Sequence, residues 1–247
     1  MNTLLHPGEK MPWKASLNIA FETLVNFIYP PECVLCHCPG AFVCDRCAKS
    51  VRTISAPYCP VCGCPGTTSS ASCSHCARHP LESLDLIRSV AKYEDDTLRT
   101  LIHNFKYEFL PILGKSLAPW LATCYTINQM NAQIIVPVPL HKSRQKFRGY
   151  NQSAVLAEAL ASYINVPVDA TTLLRIKKTK IQMTLNASDR RRNVASAFRC
   201  HSDALAGKSV MLIDDVCTTG ATLDACASAL KKTGVSAVMA LTLARAV

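Results

Sequence analysis

The pattern of apolar and polar positions divides the chain after residue 80 into alternating strands and helices. Apolar runs at residues 84–93, 133–138 and 210–213 predict strands, the last of them buried on both faces of a sheet. Apolar residues spaced three and four apart predict a helix after each strand. The apolar positions of these helices are Leu98, Leu101, Ile102 and Phe105; then Ala154, Leu156, Ala157, Leu160 and Tyr163; then Leu223, Cys226, Ala227 and Leu230. This βαβ order predicts an α/β fold with a parallel sheet.

The first thirty residues read as a leader with an amphipathic helix. The apolar stretch 15–29 is interrupted by Asn18, Glu22 and Asn26 and is too short to cross a bilayer. It has no small-residue cleavage site before the polar residues 30–32, so it does not resemble a secretion signal. We therefore expect it to dock on the fold, and we expect no membrane span.

Ten of the fourteen cysteines lie between residues 33 and 76 and form an internal repeat. Each half reads Cys-x-x-Cys-x-Cys-Pro-Gly and is followed by a second Cys-x-x-Cys pair. Two such pairs supply the four thiolates of a closed tetrahedral site, so the repeat predicts two structural Zn²⁺ ions. The predicted ligands are Cys33, Cys36, Cys44 and Cys47 for one ion, and Cys59, Cys62, Cys73 and Cys76 for the other.

Each half of this repeat has one surplus cysteine. Cys38 and Cys64 are assigned to turns, and His37 and His75 are alternative ligands. An interleaved pairing of the cysteines between the ions, or a redox dithiol at a single pair, are the other interpretations. Because cysteine-rich chains without a secretion signal belong in reducing compartments, we expect a cytoplasmic location.

Residues 210–223 combine a strand, two adjacent carboxylates and a hydroxyl-rich turn. Asp214 and Asp215 stand at the carboxyl end of the strand, where carboxylates can accept ribose hydroxyls and attract a divalent cation. The turn begins a helix, whose free N–H groups favour a phosphate. The predicted phosphate-binding residues are Thr218, Thr219, Gly220, Ala221 and Thr222. The segment therefore predicts a sugar-phosphate site, and an ordinary strand, turn and helix with capping residues is the alternative.

The formal net charge of +10 favours an anionic partner, although two Zn²⁺ ions on eight thiolates would lower it to about +6. Much of the positive charge lies at residues 142–148, 175–180 and 190–192. The first of these stretches follows a strand that Pro137 and Pro139 end, and we predict that it is a loop. Arg144 and Arg148 in that loop are the predicted pyrophosphate ligands. Solvated basic loops are the alternative, and nucleic acid is a second suitable anion.

At residues 210–223 the sequence resembles the signature of type I phosphoribosyltransferases. With the cysteine knuckles and residues 93–107, 136–141, 148–152, 174–198 and 241–245, it resembles the ComF-type competence protein family from about residue 28 onward. The resemblance implies a cytosolic protein with an N-terminal zinc ribbon and a phosphoribosyltransferase domain. In type I phosphoribosyltransferases the paired acids hold the ribose hydroxyls of phosphoribosyl pyrophosphate and the Thr/Gly loop holds its 5′-phosphate, and the resemblance implies the same roles here. The family is implicated in natural transformation and the use of incoming single-stranded DNA.

These observations predict three segments: a leader (1–30), a double zinc ribbon (31–79) and a phosphoribosyltransferase domain (80–247). We expect binding of Mg²⁺-phosphoribosyl pyrophosphate and transfer of its phosphoribosyl group, with residues 176–192 as a flexible closing loop. No residue identifies the acceptor. The alternative is a catalytically inactive module of the competence machinery that senses a nucleotide or binds single-stranded DNA. Other cytosolic competence proteins are further expected partners.

Overall fold

The computed structural model describes residues 30–108, 110–177 and 196–246. The predicted leader helix lies outside these ranges, as do residues 178–192 of the predicted closing loop with their lysines and arginines. In chain order the elements are α1 (Asp45–Ala48), α2 (Ser74–Arg78), β1 (Leu86–Lys92), α3 (Asp96–Tyr107), α4 (Leu113–Ile127), β2 (Ile134–Pro137), α5 (Lys142–Arg148), α6 (Gln152–Ile164), β3 (Leu173–Arg175), β4 (Phe198–Cys200), β5 (Ser209–Cys217), α7 (Ala221–Lys231) and β6 (Ala237–Arg245).

Four strands form a parallel sheet in the spatial order β1, β6, β5, β2, and β3 pairs with β4 in a separate antiparallel ribbon. Alternate residues of β5 enter two hydrophobic cores on opposite faces of the sheet. Met211 and Ile213 pack with α3, α4 and α6, whereas Val210 and Leu212 pack with α7 and the β3–β4 ribbon. The α/β fold with a parallel sheet is therefore confirmed.

The three predicted strands and the helices after them are present. Leu98, Leu101, Ile102 and Phe105 are the buried residues of α3, as the spacing predicts. Leu223, Cys226, Ala227 and Leu230 are likewise buried in α7. Two residues of α6 differ: Ala154 is only partly buried and Tyr163 is 58% exposed, because the buried face of that helix runs through Ser153, Leu156, Ala157 and Leu160.

The basic stretch after β2 is a helix, and the prediction of a loop there was wrong. The side chain of His141 accepts a hydrogen bond from the Ser143 N–H and caps the start of α5. Gly149 ends the helix in the left-handed region, with a φ of 75°. Between them stand lysines, arginines and a glutamine, which favour helix; the prolines end only the strand before them.

The cysteine repeat is also a repeat in backbone structure. The N–H groups of Cys33 and Cys59 each donate to the carbonyl five residues later, at 2.8 Å in both halves. Cys44 and Cys73 stand at corresponding positions, as the residues that precede α1 and α2. The segment also extends the sheet at its β1 edge, because Ile54 N–H donates to the Val90 carbonyl and Ile87 N–H donates to the Val61 carbonyl.

Among the residues described, no helix combines the length and the apolar character needed to cross a membrane.

Candidate functional site

The two carboxylates lie together in the last part of β5. The side chain of Asp214 accepts hydrogen bonds from Ser153 Oγ at 2.9 Å and from the Asp215 N–H at 2.9 Å. Burial, and then the charge of Asp215, raise the pKa of Asp214 to about 7. A pair of neighbouring carboxylates that repel each other is stabilised by a cation, so this pair is suited to a divalent metal or to hydroxyl donors.

Lys106 supplies a positive charge to the same pair. Its Nζ lies 2.7 Å from Asp215 Oδ1, and both side chains are more than four-fifths buried. Burial acts to lower the pKa of Lys106, but the attraction of Asp215 and Asp214 outweighs it and raises that pKa. Lys106 therefore stays charged beside the carboxylates. Sequence analysis did not assign it a role, since a lysine in the last turn of a helix has no distinguishing pattern.

The turn after β5 has the geometry of a helix N-terminus. Gly220 takes a φ of 83° and is the N-cap of α7, so Ala221 and Thr222 lie in the first helical turn. The Thr219 hydroxyl accepts a hydrogen bond from the Ala221 N–H at 3.3 Å. Thr218, Thr219 and Gly220 form the turn itself, and Thr219 is 9% exposed. The predicted phosphate residues therefore form one continuous loop next to the carboxylates.

The predicted pyrophosphate ligands, Arg144 and Arg148, lie on α5. Their charges act on cationic side chains that lie next to the carboxylates. Arg148 stacks over the Tyr107 ring at 5.2 Å, and its charge opposes the rise in the pKa of Lys106 that the two carboxylates cause. Arg144 lies close enough to Arg175 to lower the pKa of that guanidinium, although burial is the larger cause. Asp214 acts on Arg175 in the opposite direction. Arg175 is thus within electrostatic reach of Asp214, and Arg148 within reach of Lys106, which pairs with Asp215.

Asn151 fixes the start of α6 against the same strands. Its side-chain amide donates to the Val138 carbonyl at 3.0 Å, and its oxygen accepts from the Ser153 N–H at 3.1 Å. Tyr150 donates its hydroxyl to the Phe105 carbonyl, one residue before Lys106. These contacts explain how residues 148–152 hold Ser153 against Asp214. Residues 148–152 contribute to the family resemblance, but their sequence does not predict this arrangement.

The cysteines form two clusters whose sulfur separations fit zinc. Four thiolates at about 2.3 Å from one ion lie about 3.8 Å apart, and the Cys62–Cys73, Cys59–Cys76 and Cys36–Cys44 sulfurs lie 3.6 Å apart. The second cluster brings together the predicted ligands Cys59, Cys62, Cys73 and Cys76. In the first, the sulfurs within 4.8 Å of one another are those of Cys33, Cys36, Cys38 and Cys44.

Cys47, rather than Cys38, is the fourth ligand that the repeat predicts for the first cluster. Its sulfur lies outside the group of four but beside it, where a hydrogen bond with Cys36 raises the pKa of the Cys47 thiol to about 12. Five sulfurs therefore compete for four positions. The assignment of Cys47 remains a prediction.

Two family models match the chain: a double zinc ribbon domain at residues 24–77 and a phosphoribosyl transferase domain at residues 151–246. The chain is 33% identical to competence protein F of Haemophilus influenzae over 70% of this chain and 78% of that protein. It is 32% identical to the DNA utilization protein YhgH of Salmonella typhi over 87% of this chain and 97% of that protein.

Among solved structures, a glutamine phosphoribosylpyrophosphate amidotransferase from B. subtilis matches 52% of this chain and 25% of its own. The sequence identity is 17% and the TM-score is 0.37.

Proposed function

The chain belongs to the family of competence protein F and the DNA utilization protein YhgH, and we propose that its α/β part binds Mg²⁺-phosphoribosyl pyrophosphate. The observation that carries this proposal is the convergence of three features at one end of the sheet. These are a buried carboxylate pair, a helix N-terminus directly after it, and cationic side chains around it. Each feature matches one chemical part of the ligand.

In this proposal Asp214 and Asp215 accept the ribose hydroxyls, and the N–H groups of residues 218–222 bind the 5′-phosphate. Mg²⁺ would neutralise the pyrophosphate and add to the cations that already face the carboxylates. Arg144 and Arg148 bind the pyrophosphate. Lys106 supports this proposal, since it pairs with Asp215 and lies within electrostatic reach of Arg148.

We further propose that the protein transfers the phosphoribosyl group to an acceptor. Cleavage at the sugar anomeric carbon develops positive charge on the ribose and negative charge on the leaving pyrophosphate. Buried carboxylates suit the first charge, and the arginines with Lys106 suit the second. Among the residues described, no further base or nucleophile beside the carboxylate pair identifies the acceptor substrate. The ribbon (31–79) and the transferase domain (80–247) are proposed as the two parts of a cytoplasmic protein.

Replacing both acids, in Asp214→Asn with Asp215→Asn, tests the ribose site. We expect the affinity for Mg²⁺-phosphoribosyl pyrophosphate to fall about 100-fold or more, because hydrogen bonds to charged groups contribute about 1.5–3 kcal/mol each. Calorimetric titration measures the affinity, and thermal unfolding shows whether the fold is kept. Asp96→Asn is the matched control, since the Asp96 carboxylate is exposed on the surface of α3, where it pairs with Arg99. Unchanged affinity in the folded double variant would remove the assignment.

Single-stranded DNA is the second candidate ligand, and α5 is the observation that favours it. That helix carries Lys142, Lys146 and Arg148 together with Phe147, a residue that is 76% exposed. A basic surface with an exposed aromatic ring suits a single strand. A competition experiment discriminates the candidates. If phosphoribosyl pyrophosphate displaces a labelled single strand, the two ligands share one site. Salt-insensitive binding, or binding that the competitor leaves unchanged, would place DNA elsewhere.

A further inference from the structure

A buried arginine connects the second zinc ribbon to the candidate phosphate loop. Arg245, near the end of β6, is completely buried. Its Nε donates to Cys64 Sγ at 3.1 Å and one terminal nitrogen donates to Cys217 Sγ at 3.4 Å. The other terminal nitrogen lies 3.2 Å from Nδ1 and 3.1 Å from Nε2 of His75. These partners come from the ribbon and from the strand that leads into the loop.

The charge of Arg245 has a clear counterpart when the ribbon holds zinc. Four thiolates on one Zn²⁺ carry a formal charge of about −2, and burying such a centre requires nearby positive charge and hydrogen-bond donors. Cys64 is the surplus cysteine of the second half and lies two residues after the predicted ligand Cys62. It bonds to the guanidinium, which places the positive charge beside the metal cluster.

His75 extends this connection to the backbone of the loop. It lies in α2, between the predicted ligands Cys73 and Cys76, and is 6% exposed. Its Nε2 lies 3.3 Å from the Thr218 carbonyl. A proton on Nε2 satisfies that carbonyl and leaves Nδ1 to accept from Arg245, so one neutral tautomer satisfies both neighbours.

This contact determines the direction of a loop N–H group. In a trans peptide the carbonyl of one residue and the N–H of the next point in opposite directions. Because the Thr218 carbonyl points to the ribbon, the Thr219 N–H points away from it. The preceding carbonyl, that of Cys217, accepts from the Ala246 N–H at 2.9 Å. The entry into the loop is therefore held by β6 on one side and by the ribbon on the other.

The chain between the two parts holds the far side of the loop. Asp224, in the first turn of α7, accepts hydrogen bonds from three successive N–H groups, those of Glu82, Ser83 and Leu84, at 2.9–3.0 Å. A Cβ at Gly220 would lie 3.0 Å from Leu81 Cδ2, so this connecting segment also packs on the turn itself. The segment that follows the second ribbon therefore contacts both the turn and the first turn of α7.

We propose that Arg245 and His75 are positioning residues that couple zinc in the second ribbon to phosphate at residues 218–222. The coupling rests on the proposed function only in that a phosphate ester binds this loop. Zinc bound in the second ribbon holds Cys64 and His75 in place. His75 in turn holds the Thr218 carbonyl, and this orients the N–H groups of the loop towards the phosphate. Linkage is reciprocal, so a phosphate ester bound at the loop raises the zinc affinity of the second ribbon by the same factor.

The test measures zinc transfer from the full-length protein to a chromogenic chelator, without ligand, with ribose 5-phosphate and with Mg²⁺-phosphoribosyl pyrophosphate. At equilibrium with the chelator, we expect either phosphate ester to raise about tenfold the chelator concentration that removes one of the two zinc ions. Arg245→Met should abolish that protection while Arg245→Lys retains part of it. His75→Gln tests the same path without removing the buried charge, should the methionine variant fail to fold. A matched control is Arg78→Met, an exposed arginine of the second ribbon whose Nε donates to the Ser74 carbonyl of its own helix.

The outcomes separate this proposal from the proposed function. Protection by ribose 5-phosphate without binding of phosphoribosyl pyrophosphate would support the coupling and remove the proposed ligand. Binding of either ester with unchanged zinc release would overturn the coupling, as would equal protection in the wild type and in a folded His75→Gln variant. A total of one zinc in His75→Gln would instead make His75 a metal ligand and overturn its positioning role. The absence of protection by either ester would also overturn the proposal.

Discussion

The two ribbons share the Cys-x-x-Cys-x-Cys-Pro-Gly knuckle and its backbone hydrogen bonds, but they lie in different surroundings. In the first, Cys33 is buried while Cys36, Cys38, Cys44 and Cys47 are partly exposed. In the second, all the cysteines except Cys76 are buried. The first packs through apolar side chains beside the core that contains α3 and α4, whereas the second touches the connecting segment and the loop after β5. The local sequence determines the backbone structure of each ribbon, and the neighbouring elements determine which other part of the protein that ribbon contacts.

One pair of equivalent positions shows this difference at a single residue. His37 and Gly63 each follow the second cysteine of a knuckle, and both take a positive φ, 58° and 71°. A Cβ at Gly63 would lie 2.6 Å from the Ile87 carbonyl oxygen on β1. The turn needs a left-handed residue in both halves, but only the second half also needs the absence of a side chain.

The largest expected effect comes from removing one zinc ligand in each ribbon. Cys62→Ser and Cys36→Ser should each lose one ion of two, since a structural zinc contributes on the order of 10 kcal/mol to folding its site. Only Cys62→Ser should also weaken the binding of Mg²⁺-phosphoribosyl pyrophosphate, by about tenfold or more. Elemental analysis and calorimetric titration measure the two quantities.

The contrast follows from where the first ribbon meets the rest of the protein. The segment after the first ribbon contacts the start of α3. The hydroxyls of Ser50 and Thr97 form a hydrogen bond, and the Arg52 N–H donates to the Asp95 carboxylate. Lys106 lies about 15 Å further along the helix axis. Equal loss of ligand affinity in the two variants would contradict the comparison, because it would make both ribbons supports of the loop.

A smaller effect is expected from exchanging the residues at the left-handed position. Gly63→Ala should destabilise the protein by about 2–4 kcal/mol, since strain at a positive φ adds to a close contact with β1. His37→Gly should change stability by about 1 kcal/mol or less, because it relieves strain but increases the freedom of the unfolded chain. Urea unfolding measures both values. A Gly63→Ala variant as stable as the wild type would show that the second ribbon can separate from β1 without cost.

Sequence reasoning predicted the elements that depend on local pattern. The buried face of α3 and that of α7 follow from spacing, and the carboxylates lie in β5 because a four-residue apolar run precedes them. It did not assign Lys106, Ser153 or Arg245 to the candidate site or its support, and it considered His75 only as an alternative zinc ligand and Arg175 only as part of a basic stretch. These residues approach one another across long sequence separations, and nothing local distinguishes them from surface or core residues.

The prediction of a loop at residues 141–148 failed for a local reason. A proline pair does end β2, but it carries no information on what begins three residues later. His141 is an uncommon N-cap, and its ring nitrogen takes the place of the usual hydroxyl or carboxylate oxygen. The glycine that ends α5 was available in the sequence as a signal, since Gly149 directly follows Arg148.

The smallest expected effect concerns the surplus cysteines. Cys38→Ser should leave two zinc ions and change the free energy of unfolding by less than about 1 kcal/mol, because Cys47 supplies the fourth thiolate in the pairing that the repeat predicts. Cys64→Ser should also leave two ions, but it removes an acceptor from the buried Arg245 and should destabilise by about 1–3 kcal/mol. Elemental analysis gives the counts and urea unfolding gives the energies. One ion in Cys38→Ser, with two retained in Cys47→Ser, would assign Cys38 as the ligand. The two halves of the repeat would then bind zinc through different cysteines, and their difference would extend to the metal itself.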